Sequence, residues 1–436
     1  MAARRRAGAV LLGVAFVFAG ALARGTPQPA QVPADWRARA IDSFDVAWTT
    51  IADALVGQRP DSLDWQRVKA ELRPRVVGAA SAENARDVLR EMLRRLGRSH
   101  FALFSRVPDA ETVSGPARVA VDLRIVADGA VVFALEDDEV STIHAGDRMI
   151  AIDDLSLADV ISRAEGSDDR ERTRNAWRSV TRLLYGPVGS TARIEVERGG
   201  ETRAVRVERR IEPGEMVTLG NLPPLPVRLR ATEHRTPNGR RVGVVAFNLW
   251  MPAIDRPFAE AIDRFRTAGG LVIDLRGNVG GLADMMRGIA GHLVDSPALL
   301  GRMQLGDTAL EFRANPRRST EDGRRVAPFA GPVAIIVDEL TGSTSECFAG
   351  GLQSVGRARV FGVRTLGQAL PASTKRLPSG DVLMYAIGDF VTSTGVRLEG
   401  RGVIPDEDVP LSPASLRQQR DASIEAALKW IDRQAP

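Results

Sequence analysis

Apolar positions change their spacing twice along this chain, and each change marks a change of element. Between residues 35 and 96, Trp36, Ala40, Phe44, Ala47, Trp48 and Ile51 recur at three- and four-residue steps. Leu63, Val68 and Leu72, then Ala85, Val88, Leu89, Met92, Leu93 and Leu96, continue the theme. That period places one apolar stripe on each of several helices, and Trp36, Trp48 and Trp65 are expected to fill the core between them. From about Arg118 the period falls to two: Val119–Ile125 and Ala130–Ala134 read as strands on either side of an Asp128-Gly129 turn, with a helix-prone stretch from Ser167 to Tyr185 and a longer strand from Ser190 to Arg198. After a Pro/Gly-rich connector, Ile211–Pro226, strands alternate with helices: Val242–Phe247, helix 255–267, Leu271–Leu275, helix 282–293, Val333–Val337, helix 345–355. Such alternation predicts an α/β layered core.

The length of 436 residues allows about two to four domains. The pattern divides them as 24–110 helical, 111–212 a β domain and 213–436 the α/β core. Residues 1–23 read differently. Arg4, Arg5 and Arg6 precede an apolar run from Ala7 to Leu22 and an Ala21-Leu22-Ala23 stretch of the kind cleaved by signal peptidase, so an exported protein, periplasmic or extracellular, is expected; uncleaved, the same run would be a membrane anchor. The formal charge of +4 arises from 59 basic and 55 acidic residues. Cleavage after residue 23 removes three Arg and no acid, leaving 56 against 55, so the remainder is almost neutral and a nucleic-acid partner is not expected. A single cysteine, Cys347, excludes an internal disulfide and a Cys-rich zinc module. No cofactor is expected, and no His/Asp/Glu spacing recommends a metal site. Only three basic residues are lysines, Lys69, Lys375 and Lys429, which leaves few candidates for a catalytic amine.

Two stretches carry chemistry. Strand Leu271–Leu275 runs into Arg276-Gly277-Asn278-Val279-Gly280-Gly281, a turn whose glycines let backbone N–H groups face a cavity and hold an anion or an oxyanion. Strand Val333–Val337 leads to Asp338-Glu339-Leu340-Thr341-Gly342-Ser343-Thr344-Ser345-Glu346, then to helical Cys347-Phe348-Ala349-Gly350-Gly351-Leu352. Ser343 and Ser345 are the two candidate nucleophiles, with Ser345 also suited to cap a helix beginning near Glu346. Cys347 reads as a small buried apolar group.

The segment Ile143-His144-Ala145-Gly146-Asp147-Arg148-Met149-Ile150-Ala151-Ile152-Asp153-Asp154, together with Ser190–Arg198, resembles the turn and last strand of PDZ domains, which bind extended peptides along a sheet edge. With Gly356–Gly362, Thr365-Leu366-Gly367-Gln368 and Glu399-Gly400-Arg401-Gly402-Val403-Ile404-Pro405-Asp406, the motifs from about residue 90 to 412 resemble, in order, those of the tail-specific or carboxyl-terminal processing proteases. The resemblance implies a crotonase/ClpP-like core, a polypeptide substrate, Ser343 as nucleophile, and oxyanion donors from Gly280, Gly281 and Thr344. One position departs: Gln368 stands where the family's Ser-Lys branch keeps its basic Lys, and Lys375 lies seven residues further on. Leu96-Gly97-Arg98-Ser99-His100 instead resembles the tricorn-like branch, implying His100 as base with Ser99 and Glu399 completing the set. A histidine suits the task, because its ordinary pKa lies near neutrality. The other reading of Gln368 is an inactive peptide-binding or scaffold protein of the cell envelope.

Overall fold

The helical period of the first hundred residues becomes three helices, α1 (Trp36–Ala54), α2 (Trp65–Val77) and α3 (Ala82–Arg94). Asp64 and Ser81 cap the second and third, accepting from the amides of Arg67 and Asn84. The computed structural model describes residues 35–54, 63–105, 117–127, 129–135, 142–166, 168–218, 224–306 and 308–434, so the expected export signal lies outside the described residues. Phe44, Ala47, Ile51, Trp65 and Leu72 are buried where the helices meet. Trp48 stacks on Trp65 with ring centroids 6.2 Å apart, and each indole N–H donates to the other's carbonyl at 2.9 and 3.2 Å. Trp36 lies at the margin, half-buried. The bundle does not close on itself: Leu377 and Leu383 from far along the chain complete its core.

A short strand, β1 (Ala102–Phe104), leaves the bundle. The next segment folds as β2 (Val121–Val126), β3 (Gly129–Leu135), β4 (Arg148–Ile152), α4 (Leu157–Ser162), α5 (Asp169–Leu183), β5 (Thr191–Arg198) and β6 (Glu201–Glu208). The strands form one antiparallel sheet in sequence order, with β2 and β6 at its edges. Alternate residues of β5, Ala192, Ile194 and Val196, face the domain's core, which is the period-two signal realised.

The remainder is layered. Its elements are β7 (Leu229–Arg235), β8 (Arg241–Phe247), α6 (Asp255–Phe265), β9 (Gly270–Asp274), α7 (Met285–Gly291), β10 (Ala298–Leu305), β11 (Thr308–Ala314), β12 (Val333–Val337), α8 (Thr344–Ser354), β13 (Ala358–Gly362), β14 (Ala372–Arg376), β15 (Val382–Ala386), β16 (Asp389–Thr392), β17 (Glu407–Asp408) and α9 (Ala422–Arg433). The central sheet runs β7-β8-β9-β12-β13-β17, parallel throughout except for β7. Val333, Ile335 and Val337 of β12 point to the layer of α6, α7 and α8, while Ala334 and Ile336 point to Ile424, Ala427, Leu428 and Ile431 of α9. Both faces are covered, which explains why these strands read as continuous apolar runs. β1 pairs with β15, and β15 with β14, so the helical region is stitched to the core. Arg86 of α3 adds an ion pair with buried Asp381 at 3.0 Å.

Two helices differ from expectation. α7 begins at Met285 rather than Leu282, because the Leu282 amide donates to Trp250 O at 2.8 Å and holds residues 281–282 extended. α8 begins at Thr344, so Ser343, not Ser345, occupies the N-cap position.

Candidate active site

In a parallel α/β sheet, functional groups collect where strands end and helices begin. Here β9 ends in the glycine turn and its neighbour β12 ends in the Ser343 loop. Asn278, fully buried, joins the two: its side-chain amide donates to Phe247 O at 2.9 Å, its Oδ1 accepts from Gly280 N at 3.0 Å, and its carbonyl accepts from Gly342 N at 3.1 Å. Trp250 grips the same turn, donating its amide to Gly280 O at 2.9 Å and its indole N–H to Ser345 Oγ at 2.8 Å.

These contacts separate the two candidate serines. Ser345 is wholly buried with its hydroxyl engaged by Trp250. Ser343 sits at φ 56°, ψ −123°, a left-handed backbone that few side chains adopt, at the sharp turn into α8. Its hydroxyl meets His100 Nε2 at 3.3 Å. His100, itself at φ 60°, follows Ser99 in the turn between α3 and β1. Ser99 Oγ lies 2.8 Å from His100 Nδ1 and donates to Glu399 Oε2 at 2.9 Å, and the Ser99 amide donates to Glu399 Oε1 at 3.0 Å. Glu399 is held in turn by the Ala369 amide at 3.0 Å.

The proton count fixes the tautomer. Ser99 has one hydroxyl proton, and the acceptor-only carboxylate takes it; Ser99 Oγ therefore accepts from His100 Nδ1–H, leaving the Nε2 lone pair toward Ser343. Burial lowers the His100 pKa from 6.5 to about 4, which keeps the imidazole neutral and able to take a proton over the physiological range.

Of the predicted oxyanion donors, Gly280 is corrected. Its amide is spent on Asn278 Oδ1, and its role is steric: a Cβ there would lie 2.5 Å from Ser343 Cβ. Among the described residues no hydrogen bond engages the amides of Gly281 or Thr344, and the Thr344 hydroxyl ties the two together by donating to Gly281 O at 2.9 Å. Gln368 contributes backbone: its carbonyl accepts from Ser343 N at 2.8 Å. Lys375 is remote from this network, its ammonium donating to Thr50 of α1 at 3.0 Å. Burial pushes the Cys347 thiol well above its ordinary range, so it is inert packing. No group of His, Cys, Asp and Glu that could hold a metal ion occurs among the described residues. Trp250, Asn278 and Glu346 went unread in the sequence; Asn278 and Glu346 did stand inside the motifs, at positions with no assigned role.

The fold has known relatives. A model of peptidase family S41 matches residues 241–409, and one of the tricorn protease C1 domain matches residues 37–94. The chain is 23% identical over 253 residues to a probable CtpA-like serine protease of Staphylococcus haemolyticus, covering 58% of this chain and 46% of that protein. A Staphylococcus aureus protein of the same description is 24% identical over 252 residues, covering 57% and 45%. The chain thus spans about half the length of these curated relatives. Among solved structures, mature CPAF superimposes with a TM-score of 0.63 at 15% identity over 92% of this chain and 99% of that one. The photosystem II D1 C-terminal processing protease gives 0.54 at 20% identity over 89% and 97%. The likeness to these structures is one of fold, an α/β core preceded by helices. The likeness to peptidase family S41 thus rests on residues 241–409, and that to the tricorn C1 domain on residues 37–94.

Proposed function

We propose that the protein is an exported serine endopeptidase that cleaves extended or unfolded polypeptides through an acyl-enzyme on Ser343. The observation that carries this reading is the unbroken path from Ser343 Oγ through His100 and Ser99 to Glu399. His100 Nε2 takes the hydroxyl proton as Ser343 Oγ bonds to the scissile carbonyl carbon. The amides of Gly281 and Thr344 receive the charge that develops on the carbonyl oxygen. The imidazolium returns its proton to the leaving amine as the C–N bond breaks, and a water deprotonated by the same imidazole then hydrolyses the ester. Glu399, acting through Ser99, stabilises the imidazolium without itself touching it. The substrate chain docks against the PDZ-like domain, and the export signal delivers the enzyme across the membrane.

Purified residues 24–436 are expected to degrade a denatured protein. Ser343→Ala and His100→Ala should lower kcat by about a thousandfold or more, with Lys375→Ala unchanged. Equal activity of the parent and Ser343→Ala would overturn the reading. Failure of a fluorophosphonate to label Ser343 while peptide binding persists would replace it with the scaffold reading that Gln368 first suggested.

A further inference from the structure

Beneath the nucleophile lies a carboxylate that the reaction above does not use. Glu346, on the first turn of α8, is wholly buried. Its Oε2 accepts from the amides of Ser343 at 3.1 Å and Gln368 at 2.9 Å; its Oε1 accepts from the amide of Gly367 at 2.7 Å and from the Thr365 hydroxyl. All four contacts come from donors, as an ionised carboxylate requires, and three of them are backbone amides that cannot accept a proton in return. Two of the elements so joined are the active site itself. Ser343 holds its left-handed backbone by donating its one N–H to Glu346 and to Gln368 O. The strap 365–369 also positions Glu399, through the Ala369 amide and through the Gly400 amide on Gly367 O at 2.8 Å.

We propose that Glu346 is a positioning residue whose ionised form fixes the backbone of Ser343 and of the strap, so that protonating it disables the peptidase while His100 is still a competent base. The proposal rests on the peptidase reading and deepens it. A proton on Oε2 displaces one of the amides of Ser343 and Gln368, and a proton on Oε1 either displaces the Gly367 amide or reverses the Thr365 hydroxyl, so every protonated form alters this set of contacts. Among the described residues no basic side chain contacts the Glu346 carboxylate. Cys347 adjoins Glu346 on its own helix, and Asp389 and Glu399 lie toward that thiol. His100, neutral, is reached only through Ser343. Arg170 touches the strap on its other side, at the carbonyls of Thr365 and Leu366. Burial accordingly raises the Glu346 pKa from 4.5 to about 7 against the pull of its hydrogen bonds, whereas the same burial takes His100 down to about 4.

The test is kcat for a denatured polypeptide between pH 4 and 9. In the parent the acid limb should have its midpoint near pH 7. In Glu346→Gln, which cannot titrate, that limb should vanish, leaving kcat roughly 10- to 100-fold lower at pH 8 and KM within about twofold. A parent limb near pH 4, or a limb near 7 that survives in Glu346→Gln, would overturn the proposal. If that variant does not fold, Thr365→Val removes one donor and should move the limb upward; an unmoved midpoint overturns it equally. Should the parent hydrolyse nothing at any pH, the peptidase reading fails on its own, and melting temperatures still decide this one. A carboxyl whose folded pKa is raised stabilises the fold below its unfolded value of 4.5 and loses that advantage as pH rises through 7. The parent should therefore gain on Glu346→Gln as pH falls from 7 to 4.5, and a constant difference would overturn the proposal.

Discussion

Ser99 is the residue whose removal says most about how the imidazole is aimed. Among the described residues it is the link between His100 and Glu399: its hydroxyl accepts from one and donates to the other. Ser99→Ala leaves Nδ1–H and a carboxylate oxygen facing a gap the size of a hydroxyl, so the imidazole loses its orientation and its tautomer preference. We expect kcat to fall about 10- to 100-fold with KM little changed, a loss smaller than that of His100→Ala, measured on the same substrate. An unchanged kcat would show that Glu399 acts by another route. The four residues of this path were each legible in the sequence because motifs hold them. The proton direction was not, since it depends on a carboxylate 300 positions away.

At the scale of elements, the loops that carry Glu399 and residues 365–369 are held from outside by α5. The Arg170 guanidinium donates to Thr365 O at 3.2 Å and Gly400 O at 2.9 Å, with Leu366 O and Arg401 O at 3.5 and 3.4 Å. These carbonyls border the strap and Glu399, so one side chain clamps both against the sheet. Arg170→Ala should let the strap open more often, read as faster hydrogen exchange at the amides of Gly367 and Gln368 and as a severalfold drop in kcat. The expected loss is about 1–2 kcal/mol of local opening energy. Exchange rates equal to the parent's would mean that the strap is held from the core alone. Nothing in the apolar period announces such a clamp: Arg170 sits in a run of charged residues that reads as a solvated helix face. The same helix supplies Trp177, whose indole N–H donates to Leu123 O of edge strand β2 at 2.9 Å.

For the molecule as a whole, strand and helix order was readable because both faces of the central sheet are buried and its helices carry a 3.6-residue stripe. What escaped were the pairings between regions, such as β1 with β15, and α9, which covers the second face of the sheet. Long-range pairing leaves no local period. Global stability carries a similarly nonlocal signature. His292, buried against Phe258, has its pKa lowered to about 4 by burial and by the nearby Arg317 and Arg266. A histidine kept neutral in the fold but free to charge when unfolded costs stability as pH falls from 6.5 toward 4, on the order of 3 kcal/mol for a shift of this size. His292→Gln should therefore lose fewer degrees of melting temperature than the parent between pH 7 and 4.5. A parallel decline in the two proteins would exclude His292 as a source of acid sensitivity.

The wide spacing of His100, Ser343 and Glu399 also bears on how the chain is made. Base and nucleophile lie 243 positions apart, and the carboxylate that orients the base comes later still. A chain that emerges N-terminus first presents its imidazole early, its hydroxyl much later and the carboxylate later still. On the peptidase reading, no copy can cut its own unfolded kin before residue 399 has been made and docked.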